Sequence, residues 1–435
     1  MSIGDEGRRP RLLMLAAACC PGRGSEPGVG WHRAVQAARY CDTWVLCPEN
    51  ENSQVLRRHL ATHGDIPGLN FSFVPRGPVL NFLSRVPGLY YTSYNLWHRR
   101  AYRVARQLHA EVGFDLVHQV TLCGYREPGY LWRLGVPFVW GPVGGTQNYP
   151  WRFLGQAGWL GGLREALRSV ANRVQLRFSP RVRRAAREAA ALLAANSTVQ
   201  RDFARAHGRT PELLLETGLP QVAEAPREPR PGPLRLLWSG ELCPWKALSL
   251  LIEALARLPG DVAWELNILG RGPLQGRWQR LAARRQVADR IRWLGWLPHA
   301  EALRQYDWAD LFVFTSLRDT SGNVVLEALA SGVPVVCLDH QGVRDMVTPA
   351  CGVKIPVTRP GEVIDRLAAA LTGLARDPAA RAALAAGALE RAREYHWDRQ
   401  GERMAELYQR VLDGRSDAVI VEPRDALPDP AACPS

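Results

Sequence analysis

The chain has 435 residues, enough for two or three domains with cores of their own. A hydrophobic content of 46% with 22% charge excludes a fibrous or wholly disordered chain, and the net charge of +13 favours anionic partners: nucleotides, acidic lipid surfaces or nucleic acid. Nine cysteines, an odd number without Cys-x-x-Cys or metal-like Cys/His spacing, argue against a disulfide framework or zinc site and for reduced thiols in a cytosolic protein.

Arg8, Arg9 and Arg11 precede the apolar stretch Leu12 to Cys20, a pattern that a short signal peptide or lipoprotein cleavage site shares. The stretch is short and alanine stands at position 16, where a lipobox has leucine, so a first buried strand over Leu12 to Ala18 is the favoured reading. It opens into a loop, Pro21 to Trp31, rich in glycine, with a helix following to about Tyr40. Gly28 and Gly30 allow close backbone approach to a ligand, although an ordinary strand-to-helix turn explains them equally well. Short strands are expected at Thr43 to Leu46, Asn70 to Val74, Leu116 to Gln119, Pro137 to Trp140 and Ala191 to Ala195, with helices between them. That alternation is the pattern of a parallel sheet covered by helices on both faces. His118 closes one strand, at the sheet edge where ligands bind in such folds; a structural histidine is the equal alternative. Gly141-Pro-Val-Gly-Gly145 forms a second flexible loop on the same edge.

Two stretches are basic and helical. Tyr90, Tyr91, Tyr94, Trp97 and Tyr102 interleave with Arg99, Arg100, Arg103 and Arg106. Further on, Arg164, Arg168, Arg173, Arg177, Arg181 and Arg184 recur near helical spacing, with Leu163, Leu167, Val170 and Val174 among them. An amphipathic helix on an anionic membrane fits this, but a solvated arginine face over a core stripe is the favoured reading. Aromatic and basic residues together also suit single-stranded nucleic acid, yet no nucleic-acid motif accompanies them and no such partner is expected. Pro220 to Pro233 holds five prolines without periodicity and reads as a linker.

The second half restarts the alternation, with strands at Leu234 to Trp238, Trp264 to Leu269, Ile291 to Trp293, Leu311 to Phe314 and Val333 to Cys337. In Thr315 to Pro334 a loop separates a strand from a helix over Val324 to Ala330 and carries two carboxylates, Asp319 and Glu327. Ser321, Gly322, Asn323 and Val324 stand where that helix begins, an arrangement suited to phosphate beside sugar hydroxyls. The expected division is a domain over 1–219, the linker 220–233, a second domain over 234–394, a helix over 395–413 and a disordered tail, 414–435. Two such domains should face each other across a cleft.

Gly240-Glu-Leu-Cys-Pro-Trp-Lys246, Leu269-Gly-Arg-Gly-Pro273, Leu294-Gly-Trp-Leu-Pro298, the Asp319 to Glu327 stretch, Gly332-Val-Pro-Val335 and Gly342-Val-Arg-Asp345 follow one another at spacings that resemble glycosyltransferase family 4. The resemblance spans about residues 11 to 412. It implies an α/β chain of GT-B fold: two Rossmann-like doubly wound domains facing a central cleft, with a C-terminal helix crossing back to the first domain. It further implies retaining transfer of a sugar, of hexosyl type, from a nucleoside diphosphate sugar to a hydroxyl acceptor in polysaccharide or glycolipid synthesis, without a metal or other cofactor. Glu327 matches the residue that binds the donor ribose, Asp319 the acid near the transferred sugar, and Lys246 the cation that neutralises the diphosphate leaving group. Gly28 and Gly30 would meet the phosphates from the first domain, Ser321 to Val324 from the second, and His118 would lie near the donor sugar. Two departures stand out: Asp319 is shorter than the usual glutamate, and Glu241 occupies the position of a diphosphate-binding arginine. Arg271 sits where an acid is common, so Glu241 and Arg271 are expected to pair across neighbouring strand ends at the donor site, leaving Arg271 partly available to the phosphates. The arginine-rich helices are compatible with a lipid-linked acceptor and with the inner face of a membrane. The altered charges also suit a sugar-nucleotide-binding protein without turnover, and the fold suits another enzyme such as a sugar-nucleotide epimerase.

Overall fold

The computed structural model describes residues 8–413, apart from 87 and 227, together with Arg424. The expected disordered tail otherwise lies outside the described residues.

The first half alternates strand and helix: β1 (Arg11–Ala16), α1 (Ser25–Ala38), β2 (Asp42–Glu49), α2 (Glu51–His63) and β3 (Leu69–Pro75). Two adjacent helices follow, α3 (Gly77–Arg85) and α4 (Tyr90–Val112), before β4 (Leu116–Thr121) and β5 (Phe138–Val143). Then come α5 (Gly158–Phe178), α6 (Pro180–Glu188), β6 (Ala191–Ala194), α7 (Ser197–His207) and β7 (Glu212–Leu213). These seven strands form one parallel sheet in the order β3-β2-β1-β4-β5-β6-β7. β1 lies at its centre, paired with β2 and β4, and Leu12 to Ala16 are fully buried. The apolar stretch behind the N-terminal arginines is thus a core strand. Its near-continuous hydrophobicity follows from helices covering both faces.

The second half comprises β8 (Leu234–Ser239), α8 (Leu248–Leu255), β9 (Trp264–Leu269), α9 (Gln275–Arg284), β10 (Ile291–Gly295) and α10 (His299–Trp308). It continues with β11 (Leu311–Phe314), α11 (Asn323–Ala330), β12 (Val335–Asp339), α12 (Gln341–Met346) and β13 (Gly352–Pro356). The order of this parallel sheet is β10-β9-β8-β11-β12-β13. Both sheets reverse direction beside their first strand, the topology that gathers loops at the carboxyl edge. The chain ends in α13 (Pro360–Arg376), α14 (Pro378–Arg393) and α15 (Trp397–Leu412).

α15 leaves the second sheet and packs on the first. Met404, Ala405, Leu407, Tyr408 and Leu412 join the core formed by α1, β1 and β2. In the other direction, Tyr149, Phe153 and Ala157 reach out of the first half into the core of the second. Each half therefore holds part of the other's hydrophobic core, and the carboxyl edges of the two sheets meet.

The surface departs from expectation along α5. Its buried positions are Gly162, Glu165, Ser169, Asn172 and Leu176, small or polar except the last. Leu163, Leu167, Val170 and Val174 point outward, between 49% and 62% exposed, so the core-stripe reading is corrected. The reason lies in the interdomain contact: Glu165 must face Arg318, 3.3 Å away, and that sets the rotation of the helix. Among the described residues no helix is long and apolar enough to cross a membrane.

Candidate functional site

The second-half wall of the cleft is built from the ends of β8 and β11. β11 delivers Thr315, whose Oγ1 receives the Trp238 indole N–H at 3.0 Å and donates to the Lys246 carbonyl at 2.8 Å. These bonds fix the short turn carrying Lys246, whose ammonium lies 5.3 Å from the centre of the Phe314 ring. Its Nζ also pairs directly with Asp319 Oδ2. Lys246 and Asp319, assigned by resemblance to different parts of one donor, are thus in contact, with side chains 18% and 25% exposed.

Past Asp319 the chain enters α11 through Gly322, at φ 78° and ψ 75°. That left-handed geometry favours glycine, and a Cβ there would press on the Phe314 ring. The first-turn N–H groups of Asn323 and Val324 are left open by helix geometry. Glu327 lies half-buried one turn further on, and the Tyr306 hydroxyl donates to its Oε2 at 2.9 Å. Burial raises the Glu327 pKa above the ordinary value, and the Tyr306 bond opposes the shift. Oε1 stays available for a ligand hydroxyl.

The first half supplies a second acid cluster. Glu216 is 7% exposed and accepts from Ser321 Oγ at 2.5 Å. Burial pushes its pKa up to about 7; the Ser321 bond opposes this, while Glu26 and Asp319 add repulsion. Glu26, in the first turn of α1, accepts from the Cys123 N–H and Sγ at 3.1 and 3.0 Å, and burial raises its pKa too. Oε2 of each glutamate is buried without a partner. Polar bonds clasp the halves around this cluster. Asn196 caps α7 through Oδ1 while its Nδ2 donates to the Thr320 carbonyl at 2.8 Å. Gln341 accepts from the Asp319 N–H at 2.7 Å and donates to the Asn148 carbonyl at 2.9 Å. The loop bearing Asp319 is consequently tied to both halves.

Lys246 meets Asp319, and Ser321 to Val324 lead into the helix that carries Glu327. Three other expectations are corrected. His118 is fully buried beneath the edge, with Nδ1 2.6 Å from the Tyr408 hydroxyl and Nε2 2.6 Å from the Gly141 carbonyl. Burial lowers its pKa to about 3, so it is neutral and occupied at both nitrogens. It joins β4 to β5 and α15 and does not face a donor sugar. Gly28 and Gly30 lie inside α1, since the helix starts at Ser25. A Cβ at either would run into the Arg23 or Ala18 carbonyl, so the glycines serve close packing of helix on loop. Glu241 and Arg271 sit on adjacent loops joined by the Leu242 N–H to the Arg271 carbonyl at 3.0 Å, but both side chains are exposed and, among the described residues, they form no ion pair with each other. Arg271 instead lies along Gly295.

Glu26, Glu216, Asn196, Gln341 and Tyr306 were missed. Glu26 stood in the glycine loop as a first-turn acid, and Glu216 ended the apolar run Leu213 to Leu215; the rest carried no local signal. Among the described residues no group of three or more His, Cys, Asp or Glu side chains is arranged to hold a metal ion.

Two parallel-sheet domains meeting at their carboxyl edges, with an exchanged terminal helix, define the GT-B architecture. Solved structures share it: the Thermosynechococcus elongatus sucrose-phosphate synthase aligns with TM-score 0.61 and 18% identity, over 93% of this chain and 100% of that one. Anabaena HepE in complex with UDP aligns with TM-score 0.59 and 18% identity, over 92% and 99%. Residues 233–377 match the family model described as Glycosyl transferases group 1. A Corynebacterium glutamicum protein, the GDP-mannose-dependent monoacylated alpha-(1-6)-phosphatidylinositol monomannoside mannosyltransferase, is 31% identical over 39% of this chain and 46% of its own length. The chain spans about half the length, or less, of the curated relatives it matches.

Proposed function

We propose that the protein is a glycosyltransferase that moves a sugar, with retention, from a nucleoside diphosphate sugar to a hydroxyl acceptor in cell-surface polysaccharide or glycolipid synthesis. The observation that carries the reading is the convergence of Lys246, Asp319, the open start of α11 and Glu327 on one wall of the interdomain cleft. The chemistry follows the charges. Breaking the glycosidic bond places negative charge on the diphosphate, and an ammonium beside two open N–H groups stabilises it. Glu327 Oε1 accepts from a ribose hydroxyl, while Tyr306 holds the other oxygen. Asp319 faces the sugar and yields Lys246 to the phosphates when donor binds. No metal is assigned to this site.

The acceptor is proposed to be lipid-linked, with the protein peripheral at the inner face of a membrane. The outward apolar row of α5, flanked by the exposed Arg164, Arg173 and Arg177, supports this, because such a face suits an anionic bilayer better than bulk water.

The test is incubation with a panel of nucleoside diphosphate sugars, scored by diphosphate release. Release that disappears in Lys246→Ala and Glu327→Ala supports a transferase. Tight binding without release under any acceptor identifies a sugar-nucleotide-binding protein and defeats the reading.

A further inference from the structure

The first half holds a cavity that the donor wall does not use. It measures about 520 Å³ and lies between the N-terminal part of α4, the loop after β4, the end of α5 and the start of α6. That volume suits a small-molecule group. Three guanidinium groups line it, from Arg99, Arg126 and Arg181, against a single carboxylate, Glu127. Glu127 is 3% exposed and already satisfied, by Arg181 Nη1 at 3.0 Å and Asn95 Nδ2 at 3.1 Å. The other two arginines are held without being neutralised. Arg126 donates from Nε to Gln175 Oε1 at 2.9 Å and from Nη2 to Asn172 Oδ1 at 2.6 Å. Arg99 donates from Nε to the Tyr130 hydroxyl at 3.2 Å. These neutral partners aim the guanidinium groups and leave their charge for an anion, the geometry that suits bidentate phosphate recognition.

The surroundings of the cavity are apolar. Tyr91 lines it and is also 47% exposed, alongside Tyr90, Val79 and Phe82 of α3 and α4. Across the cavity runs the outward row of α5, ending at Phe178, which is 66% exposed. A fixed cationic pocket set between two apolar rows matches a molecule with an anionic head and a hydrocarbon tail.

We propose that this cavity binds the diphosphate of a lipid-carried acceptor, with the hydrocarbon chain lying against the apolar rows of α3, α4 and α5. The proposal rests on the transferase reading only for the word acceptor; the site itself stands on its own geometry. It also separates the two diphosphates that the protein would handle, one at Lys246 and the other at Arg99 and Arg126.

The experiment is isothermal titration of the full chain with decyl diphosphate, below its micellar concentration, and with inorganic pyrophosphate. Decyl diphosphate should bind at least tenfold more tightly than pyrophosphate, because buried methylenes add to the charge interaction. Arg99→Ala and Arg126→Ala should each weaken it fivefold or more, and a saturating nucleoside diphosphate, which occupies the donor wall, should leave it unchanged. Arg99 is exposed and Glu127 keeps Arg181, so neither substitution strands a buried charge. Equal affinity for the two probes overturns the proposal, as does binding that the nucleoside diphosphate displaces and Arg99→Ala leaves intact. Binding that follows the arginines, in a protein that hydrolyses no donor sugar, upholds this site and defeats the transferase reading instead.

Discussion

Replacing Lys246 with alanine removes the one ammonium that faces the proposed leaving group. A unit charge about 4 Å from a phosphate oxygen is worth about 4 kcal/mol at an effective dielectric near 20. The Lys246 side chain is 18% exposed, and it must give up Asp319 before it serves the donor. Both effects offset the gain and leave about 2 to 3 kcal/mol of differential stabilisation, or a fall of roughly 30- to 150-fold in rate. The assay is diphosphate release from the donor that turns over fastest, with kcat and KM determined separately. The loss should fall chiefly on kcat, because charge grows on the diphosphate as the bond breaks. Asp319→Asn, which frees the ammonium but removes the acid at the sugar, should lower kcat while tightening nucleoside diphosphate binding. A Lys246→Ala enzyme within threefold of the parent in kcat would refute the electrostatic role.

Other consequences follow from the same geometry. His118→Ala should lower the unfolding midpoint, since it empties a buried space and strands the Tyr408 hydroxyl at a cost of about 2 to 4 kcal/mol, yet leave the shape of the pH–rate profile intact. Glu216 has a folded-state pKa of about 7 against an ordinary 4.5, so the folded form holds its proton more tightly. Its contribution to stability is therefore greatest below the unfolded pKa and declines as pH rises through that window. Glu216→Gln, read by thermal unfolding at pH 5 and pH 8, should flatten the decline and be relatively more stable at the higher pH. Gly342→Ala should slow turnover severalfold, because the new Cβ would meet the Thr320 carbonyl and displace the loop that carries Asp319. Leu163→Glu with Leu167→Glu should abolish sedimentation with phosphatidylglycerol-containing vesicles and leave the unfolding midpoint unchanged, since both side chains point to solvent.

Much of the architecture could be read from periodicity. Eleven apolar runs mark strands, most plainly where a run is buried on both faces, as at Leu12 to Ala16 and Leu311 to Phe314. β7 escaped notice: Glu212–Leu213 is a two-residue edge strand, exposed at both positions. β13 was missed as well, since Gly352–Pro356 has Lys354 within it and proline at its end. On the donor wall, Asp319 and Glu327 were legible as two carboxylates around the passage from β11 to α11, and Lys246 through the resemblance to glycosyltransferase family 4. Contacts made across the interface were not. The pairing of Ser321 with Glu216 joins residues 105 positions apart, and the Gln341 bond to Asn148 spans 193. His118 shows the converse limit, because a strand-end position fixes the residue in the sheet but not which way its ring turns. Gly28 and Gly30 looked like loop glycines because helix α1 begins without a side-chain cap, at Gly24.

The most direct test of the donor wall is isothermal titration with a nucleoside diphosphate and its 2′,3′-dideoxy analogue, against the parent protein and Glu327→Ala. The account predicts that the parent prefers the ribose form by about 1 to 2 kcal/mol, roughly 5- to 30-fold, and that Glu327→Ala loses the preference. Equal affinity for both ligands in the parent, or a preference that survives Glu327→Ala, would contradict it.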